Sequence, residues 1–430
     1  MTPEIYAINA GRGKLLSFFT DRFKSELLTV QFAVPLKEET AQRNTLLFEL
    51  LCRGTEQYPS KALFSRRLDD MYATAVAPYI RKAGDMQILG FTAEFLGERY
   101  VDQAKGLLPE VVQMLSQLLL SPYLPGGVFH TPYLESEKAH LKDAIRAQIN
   151  NPRSYARAKC RALLFENEPY ALSMLGNEET VDAITAQDLV AQWQELLRTV
   201  TPVYCYVGAT PGEEVAALLS ANLSFGAELA CPCQTLVRRQ EGAPVSVREE
   251  MPLCQSRLVL GFRTDITLSH PLAPATSFLN TIFGGSAASK LFLNVREKRS
   301  ICYHCSSSFD AYKGALFAES GISAARREEA ELAIRAEFEA ILRGEISDVE
   351  WNAAKRSHEF YIKQALDHPS SISSFYMGRA LIGFEETLEQ RREAFARITR
   401  EDVAMAAAHL GEGAVFFLEG NADGEEDEEE

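Results

Sequence analysis

The sequence predicts an α+β protein of two homologous units, each a largely antiparallel sheet with helices packed on one face, joined by a linker. Three observations carry this. At 430 residues the chain is too long for one ordinary core, and domains of roughly 100 to 200 residues imply two or more. Segments of alternating apolar and β-branched residues trade places along the chain with segments of helical periodicity. An internal repeat is also visible. Ile184-Thr185-Ala186-Gln187-Asp188-Leu189 leads to VYCYVG and then Pro211-Gly212-Glu213, while Ile398-Thr399-Arg400-Glu401-Asp402-Val403 leads to VFFLEG and then Asp423-Gly424-Glu425. Upstream, Lys61-Ala62-Leu63-Phe64 and Lys290-Leu291-Phe292-Leu293 open comparable segments. A period near half the chain means two copies of one unit rather than a solenoid. The expected boundaries are 1–226 for the first unit, 227–250 for the linker, 251–424 for the second unit and 425–430 for an acidic tail.

Taken in order, residues 25–36 (SELLTVQFAVPL) mix apolar alternation with β-branched residues and end near a proline, which suits a core strand. Residues 40–55 (TAQRNTLLFELLCRGT) read as a helix: Thr40 as N-cap, Leu46, Leu47, Leu50 and Leu51 as a buried stripe, Gly54 as the stop. Thr45, Phe48 and Glu49 then project from neighbouring turns on one side. Residues 60–71 make a second helix, 88–95 a strand, and 100–120 a long amphipathic helix. The Pro/Gly-rich stretch 121–132 is a loop. Residues 134–150 are helical with Leu141, Ile145 and Ile149 as the apolar stripe. Residues 203–207 form a strand closed by Gly208, and a helix follows over 211–223. Residues 227–250, with Cys231-Pro232-Cys233 and few helical signals, fit a linker.

Composition narrows the functional classes. With 46% hydrophobic and 24% charged residues this is a soluble globular composition, and no run approaches the roughly 18 to 20 apolar residues of a membrane span. The first thirty residues lack a signal-peptide apolar core. Eight scattered cysteines then read as reduced thiols of a cytoplasmic protein. A net charge of -15 argues against nucleic-acid binding, and the terminal EEDEEE run reads as a solubilising tail.

Two stretches could carry chemistry. LLFELLCRGT, within 40–55, resembles the first-half signature of the pitrilysin/insulinase-like metallopeptidases, whose inverted H-x-x-E-H motif sits on such a helix just before K/R-G-T. Counting back from Gly54 and Thr55, the resemblance places the two zinc histidines at Thr45 and Glu49 and the catalytic glutamate at Phe48. Zinc hydrolysis needs about three imidazole or carboxylate ligands and an open position for water, whereas a threonine is a poor ligand and a phenylalanine cannot move protons. The family's third ligand is a glutamate seven residues after another glutamate. With Glu137 as the first of that pair, the ligand position is Ala144. All three ligands are then gone, and no metal or other cofactor is expected. An independent metalloenzyme using Glu49 with unmapped ligands stays open as a minor alternative.

Residues 281–312 (TIFGGSAASKLFLNVREKRSICYHCSSSFDAY) resemble the family's second-half motif, a G-G loop before a helix with L-F and R-E-K-R and a tyrosine seven residues after the first arginine. Those positions are Arg296 and Tyr303. The resemblance implies that this pair binds substrate backbone and helps stabilise the transition state, a role suited to a planar cation and a phenol. On composition alone Arg296, Lys298 and Arg299 would be a solvated helix face. Gly284-Gly285 lacks phosphate-loop spacing. Cys302-Tyr303-His304-Cys305 is formally C-x-x-C, but alternation in ICYHCSSSF puts Cys302 and Cys305 on opposite faces of a strand, against a four-sulfur zinc site with Cys231 and Cys233.

The resemblance therefore implies a non-catalytic member of the family. Short members work as dimers, and some bacteria pair an H-x-x-E-H subunit with one that keeps only the Arg/Tyr pair. Residues 52–76 further resemble the YfmF-like proteins of Gram-positive bacteria, which are associated with modification of elongation factor P. The expected partners are an H-x-x-E-H paralogue and a peptide, with homodimerisation open, and neither nucleic acid nor membrane. The alternative is a structural or assembly protein with no role in proteolysis.

Overall fold

The computed structural model describes residues 5–101, 106–227 and 234–421; the expected acidic tail and Cys231 and Cys233 lie outside them. The chain builds two compact units. The first holds a six-stranded sheet in the order β1-β2-β6-β3-β5-β4, from β1 (Ile5–Ala10), β2 (Gly13–Phe19), β3 (Ser25–Pro35), β4 (Ala75–Ala83), β5 (Met86–Leu96) and β6 (Val203–Gly208). The second holds a five-stranded sheet in the order β7-β11-β8-β10-β9, from β7 (Val245–Met251), β8 (Ser256–Arg263), β9 (His304–Asp310), β10 (Ala315–Ile322) and β11 (Gly411–Gly420). Apart from the extra edge strand β1, the two orders correspond strand for strand. Even the one parallel pair recurs, β2 with β6 and β7 with β11; all other pairs are antiparallel. The repeated I-T-x-x-D segments open equivalent helices, Ala186–Thr199 and Arg400–Ala408. Each has a capping box, Thr185 with Asp188 and Thr399 with Asp402, that satisfies otherwise unpaired N–H groups.

In the first unit, α1 (Glu38–Leu51), α2 (Lys61–Asp70), α3 (Leu108–Leu120) and α4 (Thr131–Ala147) contribute to the main core with β3 and β5. Leu46, Leu47, Phe48, Val111 and Leu115 meet Leu28, Val30, Leu89 and Phe91 there. Seven consecutive residues of β3, Glu26 to Phe32, are buried, so this central strand is covered on both faces. A segment from late in the chain supplies the second cover. The Pro369–Ala380 helix belongs to the first unit, and Ser373 meets Thr29 at 3.3 Å. The second unit receives the reciprocal piece. Residues 147–171 pack with it, and α5 (Pro152–Leu164) brings Ala156, Cys160 and Leu164 against Val259, Phe317 and Phe416. Gly261 makes this approach feasible, since a Cβ there would stand 3.0 Å from the Cys160 sulfur.

Several expectations need correction. The units are not the contiguous stretches 1–226 and 251–424, because 147–171 and 363–387 are exchanged; a helical stripe says that a face is buried, not against which sheet. The expected 227–250 linker contains most of β7, an edge strand on β11. Thr40 lies inside α1, which starts at Glu38 with Lys37 as N-cap and no capping side chain. The helix expected over 100–120 begins only at Leu108, with a proline in its first turn. Strands β1, β2 and β4, which are short or carry a proline, had no sequence expectation.

Candidate functional site

Nine of the fourteen α1 residues are buried, so the helix lies within the core. Phe48 is 1% exposed, its ring centroid 5.3 Å from Phe91 and 5.8 Å from Phe32. Thr45 is buried too. Its hydroxyl can donate to the Ala41 carbonyl at 3.0 Å or the Met174 carbonyl at 3.1 Å, and it accepts from Gln87 Nε2 at 3.2 Å. Gln87 in turn accepts from Asn44 at 2.9 Å, and Asn44 accepts from Gln192 at 2.8 Å. This buried amide network stands around the first degenerate ligand position. Its one signal in the sequence is a glutamine beside the apolar run that opens β5.

Of the three α1 positions only Glu49 reaches solvent. It stands near Arg53, Glu137 and His140. Partial burial and the Glu137 charge raise its carboxyl above the usual range, while Arg53 and His140 partly offset this. Arg53 forms an ion pair with Glu137 through Nε and approaches His140 Nδ1 at 3.3 Å. The guanidinium thus supplies the positive charge that a cluster of acids would otherwise need from a metal. Ala144 lies two turns along α4 from Glu137, exposed and without a donor atom. Among the described residues no group of three or more His, Cys, Asp or Glu side chains is placed to hold a metal ion.

The second place is built differently. Arg296 sits on a π-helical stretch, Leu291–Lys298, a wide-turn geometry often found at functional sites. Its guanidinium lies 4.7 Å from the Phe292 ring centroid, its nearest acidic group is Glu297 at 3.6 Å, and the side chain is 40% exposed. Just after the helix, Ser300 adopts a left-handed φ of 49°, a conformation that costs a non-glycine residue on the order of 1 kcal/mol or more. The turn this creates brings Tyr303 round to the same opening as Arg296. Tyr303 is 74% exposed, and its backbone N–H is anchored on the Gly321 carbonyl at 3.2 Å. Arg296, Ser300, Cys302, Tyr303 and Arg326 line one pocket of about 390 Å³. The expected Arg/Tyr pair is therefore brought together.

The strand expected through Cys302 begins two residues later. β9 starts at His304, so Cys302 lies in the turn that precedes it. Strand alternation does not apply to a residue outside the strand. Both thiols are free.

The duplicated α+β architecture and the pocket shared by Arg296 and Tyr303 fit the resemblance to the metallopeptidase family. Comparison with known proteins agrees. A family profile described as "Peptidase M16 inactive domain" matches residues 183–357. The chain is 28% identical over 401 residues to "Probable inactive metalloprotease YmfF" of Bacillus subtilis (strain 168), covering 93% of this chain and 94% of that one. Among solved structures, a conserved protein from Enterococcus faecalis V583 shares the fold with a TM-score of 0.88 and 24% identity, over 98% of this chain and 100% of that one. A peptidase M16 inactive domain from Pseudomonas fluorescens does so with a TM-score of 0.79 and 17% identity, over 98% and 100%. The chain is thus similar in sequence to an inactive M16-type metalloprotease homologue over nearly its whole length, and to the family's inactive domain over residues 183–357.

Proposed function

We propose that this chain is the non-catalytic subunit of a two-chain zinc peptidase. It binds the backbone of a peptide through Arg296 and Tyr303 while a paralogous H-x-x-E-H subunit supplies the metal and the catalytic glutamate. The observation that carries this reading is the contrast between the two places. Arg296 and Tyr303 share one solvent-open pocket, whereas Phe48 is core and Arg53 neutralises Glu137. A planar cation and a phenol can grip a peptide carbonyl and its developing negative charge. A homodimer of this chain would hold two such pairs and no zinc motif. A cytoplasmic setting belongs to the same reading, as does the link to elongation factor P modification, which rests on the resemblance of residues 52–76.

Purified chain mixed with an H-x-x-E-H paralogue from its own cell tests the proposal. Peptide cleavage should exceed that of the paralogue alone, and Arg296→Ala with Tyr303→Phe should lower it by roughly 100-fold, the scale of a lost oxyanion donor. Unchanged cleavage by the double variant would sink the assignment. The second reading, a structural or assembly subunit, is favoured by the conversion of the motif helix into core. It predicts binding to a non-peptidase partner that the same double substitution leaves intact.

A further inference from the structure

In the second unit, beside the junction of Tyr303 and His304, three guanidiniums share one carboxylate. The strand registers set Arg257, Gly321 and His304 in one row across β8, β10 and β9, and Val259, Glu319 and Ser306 in the next row on the same face. α5 covers that face, since Val259 shares a core with Ala156 and Cys160, and it adds Arg153 and Arg157. Glu319, 4% exposed, takes Arg153 Nε at 2.7 Å on one oxygen and Arg157 Nη1 at 3.3 Å on the other. Arg153 Nη2 also donates to Ser306 Oγ at 3.1 Å, and that hydroxyl lies 3.0 Å from His304 Nε2. Arg257 is left over. Its Nε is buried with no hydrogen-bond partner among the described residues. Its guanidinium lies across Gly321, where a Cβ would stand 2.5 Å from Nη1. Arg153, Arg257, His304, Glu319 and Gly321 line one crevice of about 10 Å³, with Glu319 the one acid in its lining. That is room for about one oxygen atom, and an unmatched guanidinium there suits an oxygen of a carboxylate.

We propose that this crevice is a carboxylate subsite, and that the peptide held by Arg296 and Tyr303 carries an acidic side chain which Arg257 receives. The inference rests on the peptide-binding reading. Continuity between the two places is built into the backbone. Tyr303 lines the open pocket and His304, the next residue, lines the crevice. The Tyr303 N–H donates to the carbonyl of Gly321, which is itself part of the crevice wall. β9 and β8 lie two strand spacings apart, about 10 Å, a distance that about three extended peptide residues cover. The charge balance points the same way. Burial first and Arg153 next lower both Arg257 and His304, with Glu319 opposing the effect at His304. A carboxylate brought to Arg257 relieves that repulsion, and a neutral side chain does not.

The test uses the full chain and a pair of dye-labelled peptides, both amidated at the C-terminus and identical except that one carries Glu wherever the other carries Gln, with binding followed by anisotropy. The Glu peptide should bind about 10-fold more tightly, the scale of one charge-assisted pair. The advantage should shrink as salt rises from about 0.05 to about 0.5 M. Arg257→Gln should bring the Glu peptide down to the level of the Gln peptide, and Arg257→Lys, which keeps the charge, should retain part of the difference. Arg296→Ala with Tyr303→Phe should weaken both peptides. Equal binding of the two peptides to the wild-type chain would overturn the acidic preference and leave the peptide-binding reading standing, whereas binding of neither would overturn both. A preference that survives Arg257→Gln and disappears with Arg296→Ala would put the carboxylate in the open pocket and overturn the assignment of Arg257. Free glutarate that competes as well as the Glu peptide would reveal a site for small dicarboxylates and overturn the peptide's part in it.

Discussion

Phe48 shows at single-residue scale why a glutamate at this position would not make the helix a zinc-hydrolase site. Its ring is packed between Phe32 and Phe91, so a glutamate at 48 would place a carboxylate among aromatic rings with nothing to pair it. Phe48→Ala should cost about 3–5 kcal/mol in urea unfolding, the usual cost of emptying an aromatic site. Phe48→Glu should do at least as much harm and recover no zinc by metal analysis. A folded Phe48→Glu variant that binds stoichiometric zinc would refute this reading of the site. Position 48 was identifiable from its distance to Gly54. Its burial was not, because an apolar residue in a motif looks the same whether it lines a cavity or fills a core. Gly54 itself serves by close approach, since a Cβ there would meet the Tyr58 carbonyl at 2.8 Å.

The second unit's helices carry a pH dependence of their own. His358, on the Asp348–Gln364 helix, is 9% exposed, stacks on Phe278 at 4.3 Å and lies 4.4 Å from Phe395. Burial lowers its imidazole to about 4, so the folded state keeps it neutral where an unfolded chain would take up a proton near pH 6.5. A depressed histidine contributes stability that is complete above the unfolded value and is lost as pH falls from about 6.5 towards about 4. Between pH 7 and pH 5 the loss should be about 2 kcal/mol, measured as the change in unfolding free energy. His358→Phe should remove most of that slope, and an unaltered slope would show that other groups produce it. At this scale, legibility followed local signals. Both I-T-x-x-D capping boxes and the extents of β3 and β5 are carried by patterns within a few residues. The start of α3 and the turn at Cys302 depend instead on a proline-led first turn and a left-handed Ser300, for which apolar periodicity has no term.

For the molecule as a whole, the exchange of helices is the feature with the largest consequence. The first unit's sheet is completed by residues 363–387 and the second unit's by 147–171. A fragment ending at Gln234 therefore lacks the helix that covers Thr29 and Cys205 through Ser373. Such a fragment should bind a hydrophobic dye and associate on gel filtration where the full chain does not, and appending 363–387 through a flexible linker should reverse both. A monomeric fragment that unfolds cooperatively at the full chain's midpoint would show that this cover is dispensable.

The sequence by itself determined the duplication and the mixed α+β class, and it singled out Thr45, Glu49 and Ala144 and the pair Arg296 and Tyr303 by their place in motifs that resemble a family's. Each of these is written in residue identity and short-range spacing. Only the tertiary structure decided which sheet α5 and the Pro369–Ala380 helix complete, that Phe48 is core, that Arg53 balances Glu137, and that Cys302 lies in a turn ahead of β9. Those are contacts between residues distant along the chain or set by one unusual backbone angle. Apolar stripes and motif letters state that a group will be buried or reactive; they do not state against what.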